Sequence, residues 1–195
     1  MSTAECIGVG QASSIACRES KAATALRTRL SGGDMRSPGA AEAVAHDVLT
    51  EPALTPVLVA LMQDDAPLLR MRAADALEKV SRQRPDLVAP FASLLVREIG
   101  ALPQQEVRWH IALMLPRLDI PAGLRGDAVA LLQRYLADRS RIVVAEALSA
   151  LAFFAADDPA LHEWLVPVLN EYAVNGAPSA RVRARRLLQA MKHAR

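Results

Sequence analysis

Four stretches decide the fold: Leu69-Arg70-Met71-Arg72-Ala73-Ala74-Asp75-Ala76-Leu77, Val107-Arg108-Trp109-His110-Ile111-Ala112-Leu113-Met114-Leu115, Val143-Val144-Ala145-Glu146-Ala147-Leu148-Ser149-Ala150-Leu151 and Ala180-Arg181-Val182-Arg183-Ala184-Arg185-Arg186-Leu187-Leu188. Their first residues lie 38, 36 and 37 positions apart, and in each the first, fifth, eighth and ninth positions are apolar. At 3.6 residues per turn those positions share one stripe, so each stretch predicts an amphipathic helix. The even spacing predicts a structural repeat.

Working outward, Pro56 and Pro167 lie 13 residues before the first and last stretches, inside Leu54-Thr55-Pro56-Val57-Leu58 and Leu165-Val166-Pro167-Val168-Leu169. Pro90 plays the same part in the second unit, where extra residues around Gly100-Ala101-Leu102-Pro103 lengthen the turn, and the third unit has Ala130 at that place. Each unit reads as an apolar helix opened or bent near a proline, a polar turn and a second amphipathic helix. A proline in the first helical turn fits, because its missing N–H has no intrahelical acceptor there. The turns contain Asp64-Asp65, Gln104-Gln105, Asp138 and Asn175-Gly176. A helix pair of this length cannot bury its stripe alone, so neighbouring pairs must stack.

This pattern resembles the HEAT repeat, in which a leucine-x-proline-x-leucine helix, an acidic turn and a valine-arginine-x-x-alanine-alanine-x-alanine-leucine helix follow one another. The resemblance implies an all-α α-solenoid over residues 16–195, with units of about 16–50, 53–83, 87–118, 123–156 and 158–193. The first unit is a degenerate pair, Glu19 to Leu30 and Pro38 to Leu49, divided by the helix-stop cluster Ser31-Gly32-Gly33-Asp34. Residues 1–15 lack periodicity and are expected to be disordered. The resemblance also implies that Arg70, Arg108 and Arg181, with Asp65, Gln105 and Asn175, form an inter-repeat ladder, interrupted where Val144 replaces the arginine. The segment from Val107 to Leu118 is similar to small bacterial HEAT-repeat proteins without assigned activity.

Composition agrees with helix. Of 195 residues, 37 are Ala and 27 Leu, while aromatic residues make up 4%, a mix that favours helix and gives a sheet little bulky material. The length suffices for a core without disulfide or metal. Cys6 and Cys17, without companions at ligand spacing, read as free thiols in a reducing cytoplasm. No signal-peptide pattern and no apolar run long enough to cross a membrane is present, so a cytoplasmic protein is expected. The net charge of +2 conceals an asymmetry: six bases and no acid follow residue 178, which leaves 17 bases against 21 acids before it. Those cations either complement the negative end of a terminal helix that caps the stack or form a patch for nucleic acid or an acidic partner.

If the second helices line an inner surface, the third, fourth, seventh and eleventh positions of each stretch escape the core stripe. The candidate partner-binding residues are therefore Met71, Arg72, Asp75, Lys79, Trp109, His110, Leu113, Arg117, Glu146, Arg183 and Arg186, beside Ala145, Ser149, Phe153, Val182 and Ala190. Trp109 and His110 stand at the centre, since a tryptophan flanked by arginines is a common anchor for a partner chain. Packing of Trp109 onto its own unit is the other reading of that residue, and Trp164, beside Leu165, is expected in the core.

Enzyme signatures do not assemble. His46, His110, His162 and His193 fall in different units and in no HExxH, Cys-His or Ser-His arrangement. Deoxyhypusine hydroxylase, a HEAT-type metalloenzyme, needs several His-Glu pairs, and only His162-Glu163 occurs here. Alkyl-purine DNA glycosylases, another HEAT-like class, grip DNA in a groove that Trp109, Asp75, Arg72, Arg117, Arg183 and Arg186 could imitate, but the body of this chain is acidic and poor in aromatics. Asp158 is expected to cap a helix that begins at Pro159. The expected function is a non-enzymatic scaffold that binds a protein or peptide, without cofactor or metal. Nucleic-acid binding is the alternative, and homo-oligomerisation is left open.

Overall fold

The computed structural model describes residues 21–193, all helix, turn and loop, with no strand among them. The expectation for residues 1–15, and the environments of Cys6, Cys17 and Arg195, lie outside the described residues. Helix α1 covers 21–30, followed by α2 Ala41–Thr50, α3 Thr55–Leu61, α4 Pro67–Gln83, α5 Pro85–Val88, α6 Ala92–Arg97, α7 Gln105–Met114, α8 Ala122–Tyr135, α9 Arg141–Phe154, α10 Pro159–Asn175 and α11 Pro178–His193. The fold is all-α. No helix among the described residues is long and apolar enough to cross a membrane.

The prolines act in three different ways. Pro56 sits in the first turn of α3, as expected. Pro90 falls in a 3-10 turn, Ala89–Phe91, which breaks the first helix of its unit into α5 and α6. Pro167 lies inside α10, where its ring nitrogen offers no donor to the carbonyl four residues earlier, that of Glu163. Asp158 caps α10 as predicted, its carboxylate accepting from the Leu161 N–H at 3.0 Å, with Pro159 at the first helical position.

The chain divides into two compact units, one through Val80 and one from Ser81. In the first, Leu26, Leu30, Val44, Val48, Leu58, Met62 and Leu77 are buried. Arg72 is buried with them, 2% exposed. Its guanidinium donates to the carbonyls of Leu30 at 2.8 Å, Gly32 at 2.5 Å, Ser37 at 3.2 Å and Asp34 at 3.3 Å. These groups end α1 and form the turn after it, so the cation satisfies a helix C-terminus and its negative dipole end. Gly39, at φ 56°, is required beneath it, because a Cβ there would lie 2.7 Å from the Arg72 guanidinium carbon.

In the second unit α9 packs against α7, α8, α10 and α11. Val143, Val144, Ala145, Ala147, Leu148, Ala150, Leu151 and Phe154 are all buried on it. A helix touched on so many sides must be apolar around most of its circumference.

The arginine ladder takes a different form from the one expected. Arg70 donates to the carbonyls of Asp64 at 2.7 Å and Asp65 at 3.1 Å in its own turn. Gln105 bonds Glu106, Asn175 bonds Glu171, and Arg181 is exposed on the surface. Arg108, within the second compact unit, does reach across to the turn before α9, donating to Asp138 at 2.6 Å as well as to the Leu102 carbonyl at 2.8 Å. Asp64 and Asp138 are the equivalent residues: each caps the N–H two residues on, at 2.9 and 2.8 Å, and each pairs with an arginine of an earlier helix, Arg27 or Arg108. The carboxylate of the turn, able to accept several bonds at once, serves better than the neighbouring amides.

A second tether escaped the sequence reading. The two tyrosines of the chain, Tyr135 and Tyr172, are 37 residues apart. Tyr135 donates to the Gly100 carbonyl at 2.7 Å and Tyr172 to the Leu136 carbonyl at 2.8 Å, each about one repeat upstream. Gly100 lies so close that a Cβ would meet Leu131 Cδ2 at 2.6 Å and the Leu95 carbonyl at 2.8 Å. Burial pushes the Tyr135 phenol above its ordinary pKa, with Arg108 and Arg134 opposing the shift. The folded state therefore holds this proton after the unfolded chain has released it, and stability falls as pH rises above about 10, by about 1.4 kcal/mol per pH unit from this one group. Tyr135→Phe is expected to lose about 1 kcal/mol at neutral pH and to flatten the alkaline decline; urea unfolding of both proteins at pH 7 and at alkaline pH checks this.

Candidate functional site

Within the second unit, α7 and α11 flank α9, so these second helices lie side by side. On α7, Trp109 is half-buried and its indole N–H donates to His110 Nε2 at 3.2 Å. His110 Nδ1 lies 2.6 Å from the Glu106 carbonyl. Indole is a donor only, so Nε2 accepts and the proton sits on Nδ1, donating to Glu106. The ring, 8% exposed, is a structural link between a helix turn and the tryptophan.

Burial corrects three of the residues expected on the binding face. Met71, at 7% exposure, joins Arg72 and His110 below the surface. A second helix is covered both by its own first helix and by its neighbours, so the arc removed from solvent is wider than one apolar stripe. Asp75 and Lys79 are half-buried and paired to each other at 2.5 Å, with Glu42 3.8 Å from the Lys79 amine. Leu113 is half-buried, and Arg117 donates to Ser81 Oγ at 3.1 Å. Arg183 holds both carboxylate oxygens of Glu146, at 2.9 and 3.1 Å, and also the hydroxyl of Ser149. Arg186 is exposed. The sequence positions thus bring Glu146, Ser149 and Arg183 together as a fixed polar cluster, while Met71, Arg72, Asp75 and Lys79 belong to the first unit.

Past that cluster, where α9 ends, the three helices α9, α10 and α11 part and leave a surface groove of about 1000 Å³. Phe153, Ala156, Val166, Leu187 and Met191 are among its apolar lining residues, and Ser149, Asp157, His162 and Glu163 are its lining residues with polar side chains. Phe153 is 56% exposed and stacks edge-on against the buried Phe154, ring centroids 5.6 Å apart. Trp164, expected in the core, is 40% exposed on α10, because Leu161, Leu165 and Leu169 take the inward positions. The aromatic residue that the surface actually presents in an apolar setting is therefore Phe153. The sequence carried one signal for it: Ala152, Ala155 and Ala156 surround the phenylalanine pair with side chains too small to cover it.

A smaller hollow of about 500 Å³ in the first unit lies beside Leu26, Arg29, His46 and Thr50. Arg29 is ion-paired to Asp47 there, and Thr50 donates to the His46 carbonyl at 3.0 Å. Among the described residues no three of His, Cys, Asp and Glu converge as metal ligands would.

No protein-family model and no curated protein matches the chain. Among solved structures, the chain is similar to an engineered protein whose crystal structure came from the Northeast Structural Genomics Consortium. The TM-score is 0.61 over 88% of this chain and 80% of that one, at 20% identity. Likeness at that identity is a likeness of fold alone.

The two tryptophans offer a direct check on the site geometry. Trp164→Phe, which leaves half-buried Trp109, is expected to give blue-shifted emission with weak acrylamide quenching. Trp109→Phe, which leaves exposed Trp164, should give red-shifted emission that is quenched more strongly.

Proposed function

We propose that this chain is a cytoplasmic HEAT-like α-solenoid protein that works as a non-enzymatic scaffold, holding a peptide or another protein on the second-helix face of its C-terminal half. The groove at Phe153 is the observation that carries this reading: an aromatic side chain stands 56% exposed in an apolar cleft. Solvent-exposed apolar clefts of this kind are where proteins bind. Support for the HEAT-like class comes from the helix-pair spacing and from the paired turn aspartates Asp64 and Asp138. The polar groups of the face are bound to one another, Arg183 to Glu146 and Arg117 to Ser81, which suits a preformed binding surface better than proton transfer. Phe153, Trp109 and Leu113 are the residues we assign to contact.

Panning a random peptide library against the full chain tests the proposal. Selected peptides should bind the native protein and lose about tenfold or more in affinity to Phe153→Asp. A library that yields no binder, or binders indifferent to Phe153, would refute it.

One observation favours nucleic acid instead. Arg181, Arg185, Arg186 and Lys192 are all exposed on α11, and no acid follows residue 178. That reading requires DNA or RNA affinity that drops steeply between 50 and 200 mM salt, and that disappears in a triple Arg181→Glu, Arg185→Glu, Arg186→Glu variant. The scaffold reading expects no such binding.

A further inference from the structure

We infer that the groove between α9, α10 and α11 receives a basic amphipathic helix of a partner protein, with apolar anchors on Phe153, Leu187 and Met191 and a lysine or arginine beside Glu163. This rests on the scaffold reading and names the chemistry of its partner.

Three features of the groove select that occupant. Its size, about 1000 Å³, and its opening to solvent suit several side chains carried on one helical segment. Alanines at 152, 155, 156 and 190 line it with small side chains beside the larger Phe153, Val166, Leu187 and Met191. An amphipathic helix laid across such a surface presents anchors at spacings of three, four and seven residues. Met191 adds an adaptable surface that accepts anchors of different shape.

Charge then chooses the sign. The formally charged residues lining the groove are Asp157 and Glu163, both acidic and both exposed. Asp157 already engages Arg125. Glu163 stands on the turn of α10 before Pro167, and both residues line the groove. Because Pro167 has no N–H to give, the Glu163 main-chain carbonyl lacks its usual helical donor. A proline inside a helix costs about 3 kcal/mol, and here it stands one turn from an exposed carboxylate, that of Glu163. A lysine or arginine reaching along the apolar wall would find the Glu163 carboxylate, its stem on carbon and its head on oxygen. The exposed arginines of α11 do not cancel this. At 100° per residue, Arg181, Arg185 and Lys192 lie on a different face of that helix from Leu187 and Met191, and Arg186 is turned about 100° away from Leu187 and does not line the groove. Acidic walls repel phosphate, so the groove itself is set against nucleic acid.

The test uses the full chain and three synthetic helical peptides of about 16 residues: one with leucines at helical spacing and lysines elsewhere, its counterpart with glutamates for lysines, and one with serines for leucines. Fluorescence anisotropy at physiological salt should show the lysine-leucine peptide binding about tenfold or more tightly than either control. Phe153→Asp and Glu163→Lys should each weaken it by about tenfold. Glu171→Lys, the same charge change on α10 outside the groove, should leave affinity within about twofold. Circular dichroism melts establish that each variant is folded. Equal affinity for the lysine and glutamate peptides overturns the inference, as does a Glu171→Lys effect as large as that of Glu163→Lys, which would mean general attraction to an acidic body. If these peptides fail while library-selected peptides of other chemistry still depend on Phe153, the basic-helix inference falls and the scaffold reading stands. Loss of both removes both.

Discussion

The second unit depends on the burial of α9. Eight of its 14 residues are buried, and each fully buried branched side chain contributes about 1.5–3 kcal/mol. That burial is possible only because small residues alternate with large ones: Ala145, Ala147 and Ala150 let neighbouring backbones approach, while Val143, Leu148, Leu151 and Phe154 fill the space between. Where the buried run ends, near Ala155, the surrounding helices have nothing left to close upon. The groove begins at that point, with Phe153 facing out in the last turn of the helix beside the buried Phe154.

Packing on several sides creates a polar problem at the turns, and the two units answer it with charges and phenols. Arg72 spends its guanidinium on carbonyls at the end of α1. Arg108 spends its own on Asp138 and Leu102. Tyr135 and Tyr172 reach carbonyls about a repeat upstream. A buried carbonyl without a partner would cost roughly 1–3 kcal/mol, so these long side chains are part of the packing rather than ornaments on it. The arginines exposed on α11, by contrast, face solvent, and of the exposed cations on that helix Lys192 is the one in the last turn, where positive charge complements the dipole.

Much of this was legible from periodicity. The helices fall where the 36- to 38-residue spacing placed them, the cluster Ser31 to Asp34 follows the end of α1, and Asp158 caps α10. Local chemistry decides such features, because each depends on residues within a few positions of one another. The candidate site was read less well. Phe153 stood among the positions expected on the inner face and does face the groove, but Met71, Arg72 and His110 are buried and Trp164 is exposed. Helical periodicity divides a helix into one apolar and one polar face. It does not tell how many neighbours will cover it.

The sequence by itself determined the all-α class, the helices and the Asp158 cap, since hydrophobic period, proline position and turn chemistry act over one or two helical turns. Tertiary structure decided which cations are tethers and which face solvent, why Gly39 and Gly100 must be glycine, and where the apolar surface remains uncovered. Those outcomes are set by contacts between residues about 30 to 40 positions apart, such as Arg72 with Gly32, Tyr135 with Gly100 and Arg183 with Glu146. A side chain's burial is the sum of what surrounds it, and for a helix packed on several sides most of that surrounding comes from other helices.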